Sequence, residues 1–134
     1  MSDKTPSISV FFPCYNDAKT IGTLVENAFA VLAKLTNNHE VIVVDDGSKD
    51  NSREILTRLS KRYKRLKLIF HKRNRGYGGA LKSGFTASTK DVVFYTDGDG
   101  QYDVHELKFL CDLLAPDVDF VNGIKMRRSD PGHR

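Results

Sequence analysis

The sequence predicts an α/β fold, a doubly wound and mostly parallel sheet with helices on both faces. Three observations predict it. Short apolar runs recur along the chain, several of them are apolar on both faces, and segments with helical spacing of apolar residues separate them. Strands that are apolar on both faces are typical of sheets covered by helices on each side. Strictly alternating strands and helices are typical of parallel sheets with right-handed crossovers.

Five apolar runs predict the strands, and they cover residues 7–12, 40–44, 66–70, 91–96 and 119–123. The first helix is predicted from residues at helical spacing, namely Ile21, Leu24, Val25, Ala28, Phe29, Leu32 and Leu35. A second is predicted around Ile55, Leu56 and Leu59, and a third after the glycine-rich segment 76–79. A fourth is predicted from Leu107, Leu110, Leu113 and Leu114, with Asp103 and Glu106 as its capping pair.

Length and composition favour one soluble domain spanning residues 1–134. A chain of 134 residues with 40% hydrophobic and 28% charged residues can build a real core. The two cysteines, Cys14 and Cys111, match no metal spacing, so we expect free thiols and a cytoplasmic setting. Because no apolar run approaches about 20 residues, we expect no membrane span in this chain.

The net charge of +4 is unevenly distributed. Basic residues concentrate in segments 61–67 and 71–75, whereas acidic residues gather at the predicted strand ends. Basic runs of this kind are solvated helix faces or contacts for an anionic partner such as a phosphate or a membrane surface. Nucleic acid is not expected as a partner, because no nucleic-acid-binding motif accompanies the charge.

The residues that follow the strands form one group. In open α/β sheets, ligands bind beyond the carboxyl ends of the strands. Here these positions read "PCYND", "DDGSKDNS", "HKRNRGYGG" and "DGDGQYD", which are polar, rich in glycine and, apart from the basic third segment, acidic. The sequence therefore predicts a ligand site at this edge.

Asp97 and Asp99 are the candidate metal ligands. Residues two apart at a strand end point the same way, and the glycines at 98 and 100 allow a tight turn. Oxygen ligands clustered in this way suit Mg²⁺ or Mn²⁺, and Gln101 can add an amide oxygen. The alternative is a loop whose acids, Asp103 in particular, cap the next helix.

Asp45 and Asp46 follow the second predicted strand. Gly47 permits a turn there, and Ser48, Asp50 or Asn51 can cap the second helix. A carboxylate at this position can accept hydrogen bonds from a nucleotide base or a ribose hydroxyl. The alternative is a role in the turn alone.

The remaining loop residues give weaker signals. In "PCYND", Pro13 is predicted to end the strand and Asp17 to cap the first helix, which leaves Tyr15 for stacking or packing. Gly76, Gly78 and Gly79 resemble a phosphate cradle but match no complete dinucleotide or P-loop motif, so a simple glycine turn is the alternative. Cys14 is predicted to be a buried small residue, and all four histidines, His39, His71, His105 and His133, are predicted to lie on the surface.

Together these motifs resemble the family 2 glycosyltransferases of the GT-A fold. "VFFPCYND", "VIVVDDGSKDNS", "NRGYGGALKSGF" and "YTDGDGQYD" are similar to four motifs of that family in the same order, over residues 8–128. The glutamine of "DGDGQ" and the segment "GIKMRR" most resemble the branch that makes dolichol- or polyprenyl-phosphate sugars. Asp17 stands where that family usually has Glu, and Cys14 where the branch often has Thr or another small residue.

The resemblance implies an inverting, metal-dependent transfer from a UDP- or GDP-linked sugar to a lipid phosphate or glycan acceptor. It implies that Asp99, with Asp97 and Gln101, holds Mg²⁺ or Mn²⁺ on the donor diphosphate, which makes Asp99 the central catalytic residue. The nucleotide-sugar pocket would be lined by Pro13, Tyr15, Asp17, Asp46, Gly79 and Asp97. Arg127 and Arg128 would also belong to it and would approach the diphosphate or the acceptor phosphate.

The same resemblance implies that residues 1–134 are the donor-binding part of a longer enzyme. The acceptor half and the catalytic base would lie beyond this part, so we expect the chain alone to bind a donor without transferring sugar. Contact with the cytoplasmic face of a membrane would then come through the missing C-terminal part. Two alternatives remain: a non-catalytic sugar-nucleotide-binding module, and a phospho-acceptor receiver domain, which the order of strands in the sheet distinguishes.

Overall fold

The computed structural model describes residues 7–96, 120–121 and 124–126. The elements in these residues are, in chain order, β1 (Ile8–Cys14), α1 (Ile21–Leu35), β2 (His39–Asp45), α2 (Ser52–Arg62), β3 (Leu66–Phe70), α3 (Gly76–Ala87), β4 (Val92–Tyr95), β5 (Phe120–Val121) and β6 (Ile124–Met126). The first four predicted strands agree with β1 to β4 within two residues at each end. None of the helices in this described part is long and apolar enough to cross a bilayer.

The strands form one sheet in the order β3-β2-β1-β4-β6-β5. β1 pairs in parallel with both β2 and β4, and β2 pairs in parallel with β3. The α/β prediction is therefore confirmed. Receiver domains belong to the other common doubly wound order, 2-1-3-4-5, so the observed sequence of strands 3-2-1-4 excludes that alternative.

The fifth predicted strand, 119–123, is wrong in its extent. β5 covers only Phe120–Val121, and a separate strand, β6, follows at Ile124–Met126. β6 pairs antiparallel with both β4 and β5, so the sheet is mixed at this edge. The predicted fourth helix and its capping pair, Asp103 and Glu106, lie outside the described residues.

Two apolar layers cover the parallel strands. Every residue of β1 is buried, and its side chains alternate between the layers. Val10 and Phe12 pack into the layer of α1 and α2, whereas Phe11 packs into the layer of α3. Burial on both faces explains why these strands are continuous apolar runs.

Gly84 brings α3 unusually close to the sheet. A Cβ atom built at Gly84 would lie 2.3 Å from the ring of Phe11. That ring is fully buried, and it packs edge-on against Phe85 and parallel to Tyr95, with centroid distances of 5.0 and 5.4 Å. Because these neighbours hold the ring in place, only glycine fits at position 84.

The predicted helix caps are partly wrong. Thr20 occupies the N-cap position of α1 and Asn51 that of α2, and neither side chain makes a capping hydrogen bond. Asp17 lies farther from α1, where its backbone carbonyl accepts hydrogen bonds from the N–H groups of Thr20 and Ile21. At α2, the Asp50 carboxylate accepts the N–H and the hydroxyl of Ser52 at 2.9 and 2.6 Å.

A buried carboxylate joins three strands at the amino-terminal edge of the sheet. Glu40 of β2 is 3% exposed. It pairs with Lys67 of β3 at 2.5 Å and accepts hydrogen bonds from Ser9 of β1 and from the backbone and hydroxyl of Thr89. Burial by itself raises the pKa of Glu40, but these hydrogen bonds outweigh it and lower the pKa to about 2.

We expect Glu40→Gln to destabilise the protein at neutral pH by about 3 kcal/mol. Removing the charge of a buried ion pair leaves the groups that were paired with it without their counter-charge. A folded-state pKa below the unfolded value gives stability that is complete above the unfolded pKa of about 4.5 and disappears as the pH falls through about 2. The difference between wild type and variant should therefore shrink over that range. Urea unfolding from pH 7 to pH 2 measures it.

Glu54→Gln is the matched control. Glu54 is exposed on α2 and lies 3.8 Å from Arg58. Its loss should cost less than about 1 kcal/mol. A Glu40 variant as stable as the Glu54 variant at pH 7 would contradict the role given to this network.

Candidate functional site

Three loops meet at the carboxyl edge of the parallel sheet. Loop 1 (residues 15–20) follows β1, loop 2 (residues 46–51) follows β2, and loop 3 (residues 71–75) follows β3. Because β1, β2 and β3 are adjacent and parallel, these loops lie side by side. This edge is where open α/β sheets bind ligands.

Asn16 ties loop 1 to loop 2. Its backbone has a φ of 55°, which asparagine tolerates better than most residues. Its N–H donates to Ser48 Oγ at 2.9 Å, and its side-chain oxygen accepts the N–H of Lys49 at 2.8 Å. Asp50 adds a third link, because its carboxylate accepts the N–H of Ala18 at 3.2 Å. The two loops therefore form one hydrogen-bonded unit.

Three predicted site residues lie in or next to loop 1, namely Pro13, Tyr15 and Asp17. Pro13 is buried inside β1, which continues to Cys14, so the prediction that Pro13 ends the strand is wrong. Tyr15 is 43% exposed at the start of the loop. The Asp17 carboxylate accepts the N–H of Tyr15 at 3.0 Å, which fixes the backbone that carries this ring.

Asp45 has a structural role. It is fully buried at the end of β2, and one carboxylate oxygen accepts Ser48 N–H at 3.1 Å and Arg53 Nε–H at 2.7 Å. The other oxygen has no hydrogen-bond partner within the described residues. Arg53 also donates to the carbonyl of His71 and stacks over Phe70, so it joins the ends of β2 and β3.

Asp46 is held in a different way. It is 4% exposed, and its Oδ1 lies 2.8 Å from His71 Nδ1 and accepts the backbone N–H of Arg75 at 2.7 Å. His71 Nε2 in turn lies 2.9 Å from Ser83 Oγ. The two adjacent acids therefore differ, because Asp45 at the end of β2 holds loop 2 and α2 whereas Asp46 faces loop 3.

The prediction that His71 lies on the surface is wrong, since it is only 3% exposed. The basic run around His71 suggested a solvated segment, but His71 is the first residue of loop 3 and its ring lies between Asp46 and Ser83 of α3. The sequence signal that could have revealed it is the rule already applied to the acids, that residues just after a strand belong to the site. His39 is partly buried, and His105 and His133 lie outside the described residues.

Gly47 allows loops 2 and 3 to touch. Its φ is +83°, and a Cβ atom there would lie 2.8 Å from the backbone nitrogen of Asn74. Both the left-handed backbone and the close approach require glycine. The contact lies one residue from Asp46, so it helps to keep that carboxylate near loop 3.

The glycines of the third motif lie inside α3. They were predicted to precede the helix, but Gly76 begins it and Gly78 and Gly79 form its first turn. A Cβ atom at Gly79 would lie 2.7 Å from Cβ of Arg75, so glycine lets the chain fold back tightly at this point. The first turn of a helix presents N–H groups without partners in the helix, which suits an anion.

Cys14 is buried, as predicted, and is not disulfide-bonded. Burial raises the pKa of its thiol to about 12, and the charges of Asp45 and Asp17 act in the same direction. A thiol with so high a pKa is almost entirely protonated at neutral pH and is a poor nucleophile.

Five predicted site residues lie outside the described residues: Asp97, Asp99, Gln101, Arg127 and Arg128. Within the described ranges, no group of three or more histidine, cysteine or acidic side chains is arranged to hold a metal. β4, which leads in sequence toward Asp97, lies next to β1 in the sheet, and Phe11 is paired with Tyr95.

Comparison with known proteins identifies related sequences along almost the whole chain. Residues 9–134 match the model of glycosyl transferase family 2. An undecaprenyl-phosphate 4-deoxy-4-formamido-L-arabinose transferase of Pectobacterium atrosepticum is 33% identical over 97% of this chain and 40% of its own length. An uncharacterised glycosyltransferase of a Nostoc species is 36% identical over 80% of this chain and 32% of its own length. The chain thus spans about 40% or less of the curated relatives it matches here.

Solved structures share the fold. A mannosyltransferase from Pyrobaculum calidifontis, in complex with GDP-Man and Mn²⁺, has a TM-score of 0.75 at 24% identity, over 87% of this chain and 35% of its own. A glucosyl-3-phosphoglycerate synthase from Mycobacterium tuberculosis, in complex with Mn²⁺, UDP and phosphoglyceric acid, has a TM-score of 0.56 at 24% identity, over 69% of this chain and 33% of its own.

Proposed function

The chain belongs to glycosyl transferase family 2, and from this premise we propose that it forms the donor-binding part of a glycosyltransferase. The donor is a UDP- or GDP-linked sugar. The observation that carries the proposal is the buried Asp46 carboxylate at the carboxyl edge of the sheet. The backbone N–H of Asp46 donates to the carbonyl of Cys14, the residue before the exposed Tyr15. A carboxylate only accepts hydrogen bonds, and uracil and guanine both offer N–H groups on the edge that an acceptor can read.

The nucleotide pocket is built by loops 1 and 2. Tyr15 stacks on the base, Pro13 shapes the floor of the pocket, and Asp17 fixes the backbone at Tyr15 through the hydrogen bond described above. Asp46 accepts a hydrogen bond from the base. The first turn of α3 provides backbone N–H groups on the side of the phosphates, and Gly79 allows the tight fold of the chain there.

A divalent ion completes the donor site. Asp97, Asp99 and Gln101 follow β4 in sequence and offer only oxygen ligands, which fits Mg²⁺ or Mn²⁺ bound to a diphosphate. The neighbours solved with Mn²⁺ and a nucleotide support this assignment. When bound, the ion neutralises charge on the departing nucleotide, and Asp99 is its central ligand.

The acceptor is a polyprenyl phosphate or a glycan, by analogy with relatives named for undecaprenyl phosphate. Transfer inverts the anomeric carbon with the help of a base that we assign to the part of the relatives' length outside residues 1–134. Arg127 and Arg128 approach the diphosphate or the acceptor phosphate, and contact with a membrane surface comes with that acceptor.

Isothermal calorimetry of UDP and GDP, with Mn²⁺ and with EDTA, tests the proposal. We expect one of the two nucleotides to bind at least about tenfold more tightly with the metal, because a bound cation would offset the negative charge of the diphosphate. ADP and CDP serve as matched controls, since adenine and cytosine offer a ring nitrogen acceptor where uracil and guanine offer N–H. Equal affinity with Mn²⁺ and EDTA, or no preference among the four bases, would contradict the proposed donor site.

A further inference from the structure

His71 and Ser83 form a buried chain of hydrogen bonds that ends on Asp46. The distances are 2.9 Å from Ser83 Oγ to His71 Nε2 and 2.8 Å from His71 Nδ1 to Asp46 Oδ1. The histidine follows β3 and the serine lies in α3, so the chain joins two elements to the end of a third. Both residues fall within segments quoted in the sequence analysis, but neither was given a role in the site.

The chemistry of the partners fixes the proton on the imidazole. An ionised carboxylate has no hydrogen to give, so Nδ1 must donate to Asp46. In the neutral ring, Nε2 then accepts a hydrogen bond from the Ser83 hydroxyl.

An acid, a histidine and a serine joined in this order also occur in the catalytic triads of enzymes with a nucleophilic serine. The position of Ser83 excludes that role here. Ser83 lies inside α3, where the backbone N–H groups are used within the helix. No oxyanion hole can therefore form beside its hydroxyl. A role in orienting Asp46 remains.

The number of N–H donors to each carboxylate oxygen of Asp46 decides which oxygen can bind a ligand. Oδ1 receives two N–H groups, one from His71 and one from the backbone of Arg75 at 2.7 Å. These bonds occupy its lone pairs and hold the carboxylate plane. Oδ2 is then the oxygen with acceptor capacity for a ligand.

We infer that His71 and Ser83 are positioning residues that hold the Asp46 carboxylate so that Oδ2 reads an N–H group of the donor's base. The inference rests on the proposed donor site and adds the residues that set its selectivity. It assigns these residues no contact with the sugar or the phosphates. Their loss should therefore weaken recognition of the base and leave recognition of the diphosphate unchanged.

The first test needs no ligand. Long-range ¹H–¹⁵N NMR spectra of the full chain report which ring nitrogen of each neutral histidine carries the proton. We expect His71 to carry it on Nδ1. A proton on Nε2 would overturn the inference, whatever the chain binds.

The second test compares two side chains that each imitate one ring nitrogen. The side-chain NH₂ group of asparagine lies near the position of Nδ1 and can donate a hydrogen bond to Asp46. The NH₂ group of glutamine lies near the position of Nε2 and cannot make that bond. His71→Asn should bind the preferred nucleotide within about threefold of wild type, and His71→Gln should lose about tenfold, the size expected for one hydrogen bond to a charged group. Inorganic pyrophosphate with Mg²⁺, which has no base, should bind both variants like wild type.

Two controls distinguish a loss of Asp46 positioning from a general disturbance of the structure. His39→Gln changes a partly buried histidine that is hydrogen-bonded to Thr36, away from Asp46, and should alter neither affinity. In an Asp46→Ala background, His71→Gln should have no further effect on nucleotide affinity. An equal loss of pyrophosphate affinity, an undiminished loss without Asp46, or stronger binding by the Gln than by the Asn variant would overturn the inference. If wild type binds pyrophosphate but distinguishes no base, the proposed donor site itself is wrong.

Discussion

Gly84→Ala should lower the free energy of unfolding by at least about 2 kcal/mol. The new methyl group would lie 2.3 Å from the Phe11 ring. Forcing an extra carbon into a packed core costs typically about 1–3 kcal/mol, and so short a contact puts this site at the upper end of that range. Replacing glycine by alanine inside a helix returns about 1 kcal/mol. The steric cost is the larger of the two because Phe85 and Tyr95 prevent the ring from moving aside. Thermal and urea unfolding of the variant measure the difference.

Gly78→Ala is the matched control, because it makes the same substitution in the same helix. A Cβ atom at Gly78 has no neighbour within 4 Å, so the helix preference acts alone. This variant should be as stable as wild type or more stable by up to about 1 kcal/mol. If both alanine variants had the same stability, the close approach of α3 to β1 would not be the reason for glycine at position 84.

Asp99→Asn should abolish the effect of Mn²⁺ on nucleotide affinity. Asparagine keeps the size of the side chain but removes the negative charge that a divalent ion needs. We expect affinity in Mn²⁺ to fall to the value measured in EDTA, a loss equal to the metal effect of the wild type and so at least about tenfold. Titrations with and without metal measure this, and circular dichroism checks that the fold is intact.

Asp117→Asn is the comparison for that variant. Asp117 and Asp119 also form an Asp-x-Asp pair, but they follow no predicted strand end. The Asp117 variant should keep the full metal effect. If it lost the effect while Asp99→Asn kept it, the argument from position at the end of β4 would be wrong.

Most of the parallel half of the sheet was predictable because β1, β2 and β4 are buried on both faces. β3 was predicted to the residue, since Leu66–Phe70 is a short apolar run between polar segments. β6 was missed because Ile124–Met126 is too short to show a period. The pair Asn122–Gly123, between β5 and β6 in sequence, is a common hairpin signal and was the available clue.

The sequence predicted that Asp45 and Asp46 lie at the candidate site, but it did not predict that the two acids have different roles. Asp45 and Asp46 are adjacent and chemically identical, and only the fold brings Arg53 to one and His71 to the other. The burial of His71 depends on α3 lying over the end of β3, a contact between residues 12 positions apart that no local pattern reports. The roles of Pro13, Tyr15, Asp17, Asp46 and Gly79 in donor binding remain predictions.

The hydrogen bonds between Asn16, Ser48 and Asp50 have a consequence for how a ligand would be captured. Loops that are already joined to each other have little conformational freedom left to lose when a ligand arrives. A preorganised pocket of this kind can recognise small parts of a ligand, because each part finds its contacts in place. A nucleoside without its phosphates should then retain a measurable share of the binding free energy, as a fragment does in a rigid receptor.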